Sequence, residues 1–134
     1  MPPRQQFTEP AFRFRPFWLI TGWVLVLLVI ALSLAPSLAA LPATQGDKFM
    51  HIFAYAVLMS WFVNLYAATT RRAQLACGFV ALGIALELAQ RWTGYRTFDM
   101  ADMAANAVGV TAGWLAAPPR LPNYLRVIEK FFAK

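Results

Sequence analysis

The chain has 134 residues, 60% of them hydrophobic and 13% charged, with a formal net charge of +6. A soluble domain carries about 25% charged residues to cover its surface, so this composition excludes an ordinary water-soluble globule and points to lipid as solvent. The basic residues stand in short clusters between apolar runs, as topology signals do, which excludes the continuous basic face of a nucleic-acid binder; one cysteine, Cys77, excludes an internal disulfide.

A helix needs about 20 apolar residues to cross a bilayer, and the chain divides accordingly. Residues 1–16 form an N-terminal segment carrying Arg4, Arg13 and Arg15. The first apolar run spans about 17–35, opened by Pro16 at a position where a helix start tolerates proline and closed by Pro36. Its basic flank and the small residues Ser37-Leu38-Ala39 are also those of a signal peptide, but the run is too long for a typical signal core. Further runs follow at about 47–68, 73–91 and 99–117, the last closed by Pro118 and Pro119. Residues 118–134 are expected to form a short basic tail helix, with Asn123 as N-cap, Leu125, Ile128 and Phe132 on one face, and Arg126, Lys130 and Lys134 on the other. The predicted fold is therefore an all-α, four-helix transmembrane bundle with an amphipathic C-terminal tail.

Charge sets the orientation. Arg4, Arg13 and Arg15 precede the first span, Arg71 and Arg72 fall between the second and third, and Arg120, Arg126, Lys130 and Lys134 follow the fourth. With four spans all three groups share one side, which the Lys/Arg rule makes cytoplasmic, together with both chain ends. Lys48, Arg91 and Arg96 are left for the other side, accompanied by acids.

Ionisable groups inside a span cost at least about 2.5 kcal/mol each near its centre and face the protein interior. Asp47, His51 and Tyr55 are four apart on the second span; Gly83, Glu87 and Gln90 share a face of the third; Asp99, Asp102, Asn106, Gly109 and Gly113 form one stripe on the fourth. Because successive spans alternate in direction, all three polar groups come to the same, extracytoplasmic depth. The expected site is a polar, outward-facing pocket lined by Asp47, Lys48, His51, Glu87, Gln90, Arg96, Asp102 and Asn106. Gly109 and Gly113 instead fit the small-xxx-small spacing of close helix packing, and Asp99 equally fits an N-cap.

Carboxylates and an imidazole in one pocket offer ligands for a divalent cation. His51, Glu87 and Asp102 are the candidates for acid–base or catalytic work. Lys48 and Arg96 are suited to a phosphate. No metalloprotease helix, CxxC pair, nucleophile elbow or phosphate loop is present.

Two blocks of these residues carry a resemblance. Asp47-Lys48-Phe49-Met50-His51, followed by Phe53, Tyr55 and Leu58, is similar to the D-K-x-x-H block of the VanZ-like family of small membrane proteins. Glu87-Leu88-Ala89-Gln90, then Arg96, Asp102, Asn106 and Gly109, resembles its E-x-x-Q, R, D and N-x-x-G series. Thr93-Gly94-Tyr95 departs from the proline-glycine turn common there. The resemblance implies a multi-pass protein of the bacterial cytoplasmic membrane acting on the cell envelope. The founding member is associated with resistance to the glycopeptide teicoplanin; that link supplies no reaction, and no resistance phenotype is predicted from it.

Two functional readings follow. The first is binding or remodelling of an anionic envelope lipid or lipid-linked glycan, with no nucleic acid involved. The alternative is a metal-assisted membrane enzyme acting on a lipid phosphate or ester. A polar network that only pins helices together is the structural counterpart of both, and a channel is disfavoured because no polar stripe continues to the cytoplasmic ends.

Overall fold

The computed structural model describes residues 10–36, 45–94 and 99–132. They form helices α1 (Arg15–Leu34), α2 (Gln45–Leu65), α3 (Thr69–Thr93), α4 (Met100–Leu115) and α5 (Tyr124–Phe132), with no strand among the described residues.

The helix limits have local causes. Proline stands in the first turn of α1, where its missing N–H costs nothing. The expected second span loses its last three residues, since α2 stops at Leu65. Helix α3 starts four residues before the expected span and takes Arg71 and Arg72 into its first turn, so these arginines are helical rather than loop residues. Nothing between Ala68 and Ala73 breaks a helix, and arginine is a good helix former. At its other end Gly94 adopts a left-handed conformation (φ 71°) and stops the helix. Asp99 caps α4 by accepting a hydrogen bond from the Ala101 amide at 2.8 Å. Asn123 caps α5 in the same way through the Arg126 amide at 3.0 Å.

Three helices, α1, α2 and α3, are long and apolar enough to cross a membrane. Helix α4, with 16 residues, is about 24 Å long at 1.5 Å per residue. In α1 only Trp18, Gly22 and Val26 are buried, one narrow seam four residues apart, while Phe17, Ile20, Val24, Leu27 and Leu28 are exposed. A helix that is apolar all round but packed along one line suits a lipid-facing position.

Helix α2 touches each of the other four and supplies Tyr55, Leu58, Met59, Phe62, Val63 and Leu65 to the core. Its partner α4 runs alongside it in the same direction. Lys48 meets Asp99, His51 meets Asn106, Ile52 meets Gly109, and Ala56 meets Gly113. A Cβ added at Gly109 or Gly113 would collide with the carbonyl oxygen of Ile52 or Ala56, so these glycines set the helix separation, as the small-residue spacing predicts. Helix α3 runs oppositely: Arg72 is bound at the C-terminal ends of α2 and α4, and Gly83 packs on Asn106. In α1, Trp18 contacts Trp61 near the end of α2, while the Ser33 carbonyl receives the Gln90 amide near the end of α3. Helix directions therefore alternate along the chain. The start of α1 and the whole of α5 share one end of the bundle, the terminal end; α2 and α4 begin at the far end.

The tail is a helix, but not the free surface helix expected. Leu125 is fully buried against the bundle, whereas Ile128 and Phe132 are exposed. Glu129 turns inward and accepts hydrogen bonds from the backbone N–H of Arg13 (3.1 Å) and Phe14 (2.8 Å) and from the Trp18 indole (3.1 Å). It thereby supplies a carboxylate to the N-terminus of α1, which has no side-chain cap of its own.

Candidate functional site

The far end of the bundle gathers most of the polar residues expected there, because α2 and α4 are parallel and in register. The Nδ1–H of His51 donates to the Asn106 side-chain oxygen at 2.9 Å. That bond orients the ring and directs Nε2 toward Asp102, whose carboxylate lies 3.9 Å away. Asp47, one turn before His51 on α2, completes a group in which one ligand atom from each of Asp47, His51 and Asp102 lies within 4.8 Å of the others. Asn106 is 2% exposed and wedged against Gly83 of α3, where a side chain would strike its amide. The glycine of α3 thus makes room for the residue that orients the histidine.

Lys48 and Asp99 close the outer rim, paired at 3.2 Å with both side chains substantially exposed. Such an exposed pair adds little to stability in water; its consequence here is that the lysine is already matched by an acid. Asp99 is thus both helix cap and rim partner. Glu87 is 2% exposed and lies within electrostatic reach of Tyr55. The Tyr55 hydroxyl is fully buried with no hydrogen-bond partner among the described residues. Gln90 takes a different direction: its amide donates to the Ser33 carbonyl at 2.7 Å and ties α3 to α1. Arg96 lies outside the described residues.

The set can hold a cation. Ligands about 2.1 Å from a bound divalent ion stand roughly 3–3.5 Å apart, so small side-chain movements bring Asp47, His51 and Asp102 to coordinating distance. A ligating histidine ordinarily donates its other N–H to an oxygen acceptor, and the His51–Asn106 bond has that form. Two cavities lie away from this cluster. One, about 410 Å³, runs along α4 past Val108 and Leu115. The other, about 460 Å³, is at the terminal end.

The terminal end also holds residues that sequence reasoning missed. Arg72, read as a topology-setting loop cation, is 9% exposed. It donates to the carbonyls of Tyr66 (2.7 Å), Pro118 (2.6 Å) and Val63 (3.0 Å). Asn123 donates to the Asn64 carbonyl at 2.7 Å. Glu129 was overlooked in a tail read for its basic face, although its place four residues after Leu125 puts it on the buried side.

The model of the VanZ/LLP1 family matches residues 2–121. The chain belongs to the VanZ/LLP1 family. The match takes in α1 as well as the two motif blocks, so the first helix is part of the VanZ/LLP1 unit. An uncharacterized protein of Schizosaccharomyces pombe is 36% identical over 97 residues, which are 68% of this chain and 57% of that protein. The chain thus spans little more than half the length of that relative. The relative is a yeast protein, so a bacterial inner membrane does not follow from the comparisons; the family and the apolar helices support residence in a membrane. No solved structure matches the chain.

Proposed function

We propose that this VanZ/LLP1 protein is a four-span membrane protein with cytoplasmic ends that engages an anionic envelope lipid, or a lipid-linked glycan, at the far end of its bundle through a divalent cation held by Asp47, His51 and Asp102. The observation that carries the reading is the convergence of those three side chains around an imidazole oriented by Asn106. A cation there would offset two carboxylates and leave open coordination positions for a phosphate oxygen. Lys48, paired to Asp99 at the rim, would exchange that partner for a second contact to the same phosphate. The bacterial cytoplasmic membrane is the compartment this reading adopts.

Titration of detergent-purified protein with Zn²⁺, Mn²⁺ or Mg²⁺, with elemental analysis, tests it. Wild type is expected to hold one equivalent, Asp102→Asn to lose it, and Asn106→Ala to weaken it about 10–100-fold, the usual weight of an orienting partner. Native mass spectrometry should then show phosphatidylglycerol retained by wild type and released on chelation. No bound cation in wild type, with Asp102→Asn equally stable, would leave a network that only joins helices.

A metal-assisted hydrolase is the second reading, favoured by the orientation that Asn106 gives His51. Its Nε2 lone pair is then available to bind metal or accept a proton. Turnover of a phospholipid or lipid-pyrophosphate panel that disappears in His51→Ala would establish it; cation binding without turnover would confine the site to recognition.

A further inference from the structure

We propose a second, cation-independent site at the terminal end, a cavity lined by Arg72, Arg120 and Arg126 that takes a phosphate group, and the source we expect is the headgroup of an anionic lipid. The cavity measures about 460 Å³, within the roughly 300–1,000 Å³ of small-molecule sites. It forms where two chain connections meet: Ala67, between α2 and α3, and the 118–123 segment between α4 and α5. The walls are pinned. Arg72 holds the carbonyls of Val63, Tyr66 and Pro118, so the α2 end and the turn after α4 are joined through one guanidinium. Asn123 joins the same turn to Asn64 and caps the helix that carries Arg126.

Charge selects the ligand. Three arginines line the cavity and, among the described residues, no aspartate or glutamate does. The acid nearest in sequence, Glu129, accepts its hydrogen bonds from the Arg13 and Phe14 amides and the Trp18 indole, and it lies within electrostatic reach of Arg126 without lining the cavity. Arg120 and Arg126 are exposed, which leaves their planar forks accessible for bidentate contact with phosphate oxygens. Arg72, committed to carbonyls, contributes positive potential from the wall. The site stands at the ends of the membrane-crossing helices, where headgroups are. It is independent of the far-end cluster and shares no residue with it.

The full chain in detergent is offered phosphatidylglycerol or phosphatidylcholine and read by native mass spectrometry. A parallel arm offers inorganic phosphate alone and reads the thermal midpoint. Both arms use wild type, Arg120→Gln, Arg126→Gln and, as a control on the same helix outside the cavity, Lys130→Gln. Chelator is present throughout, which separates this site from the proposed cation site. We expect preference for phosphatidylglycerol, about tenfold weaker in each arginine variant, the weight of one charge-assisted hydrogen bond, and unchanged in Lys130→Gln. A midpoint raised by inorganic phosphate in wild type but not in the arginine variants, without lipid preference, supports the same cavity with free phosphate as its ligand. Equal binding by wild type and both arginine variants overturns the proposal. So does a Lys130→Gln loss as large as theirs, which would mean diffuse attraction to a basic tail.

Discussion

One methyl group at Gly109 would fall on the Ile52 carbonyl, and one at Gly113 on the Ala56 carbonyl. Because the obstacle in each case is backbone, it cannot rotate away, and α2 and α4 must part. Gly109→Ala or Gly113→Ala should lower stability by about 1–3 kcal/mol, the usual cost of overpacking, read as an earlier midpoint in a denaturing-detergent titration. Gly78, with open space around it, is the control and should accept alanine without loss. Arg72 is a different case, since its value lies in three carbonyls at once. Arg72→Ala should cost about 2–4 kcal/mol, the weight of charge-assisted bonds left unmade at buried acceptors, in the same titration. The glycines were legible because the four-residue spacing is itself the packing signal. Arg72 was not, because the rule that sorts basic residues by side of the membrane treats every arginine near a span end alike. The polar stripes announced His51 and Asn106 as neighbours in depth, and Gly83 stood in the stripe of the third helix, but nothing in that stripe says that the glycine packs on Asn106.

Among the elements, α5 shows most clearly how a correct helix can be given the wrong surroundings. Its N-cap and its periodicity were readable, yet the same periodicity suits a membrane surface or the side of a bundle, and only the position of Glu129 tells them apart. Burial pushes the Glu129 carboxyl up, but the hydrogen bonds from Phe14, Trp18 and Arg13 outweigh it and leave the group below its ordinary value. A lowered folded-state value means that the clasp stabilises fully above the ordinary glutamate range, about pH 4.3, and is lost as pH falls through the folded-state value. Protection of the α5 amides, taken relative to the intrinsic exchange rate at each pH, should therefore fall on acidification through and below the ordinary glutamate range. Glu129→Gln should exchange faster at neutral pH and lose most of the acid dependence. The span limits show a similar division. Capping residues such as Asp99 and the stop at Gly94 mark ends that chemistry dictates, whereas the early start of α3 reflects only the absence of a breaker.

At the scale of the whole molecule, alternation of direction was the most legible property, because it needs only the number of apolar runs and the sign of the charges between them. It correctly brings the polar ends of α2 and α4 together. Labelling tests the orientation proposed for it. In a Cys77→Ser background, Arg120→Cys and Thr93→Cys stand at opposite ends of the bundle, and membrane-impermeant maleimide should reach Thr93→Cys from outside intact cells and Arg120→Cys only after permeabilisation. The parallel pairing of α2 with α4 also bears on how the protein is made. Helix α2 has a mean hydropathy of 1.3 against 2.5 for α1, and its Asp47 and His51 meet Asp102 and Asn106 only when a segment about fifty residues later in synthesis arrives. If α2 crosses the membrane as proposed, the nascent chain until then holds a marginal span whose polar face has no matching helix. On that topology insertion of α2 is provisional and is completed by α4, so a chain halted before α4 should fail to keep α2 in the membrane, while α1 still anchors it.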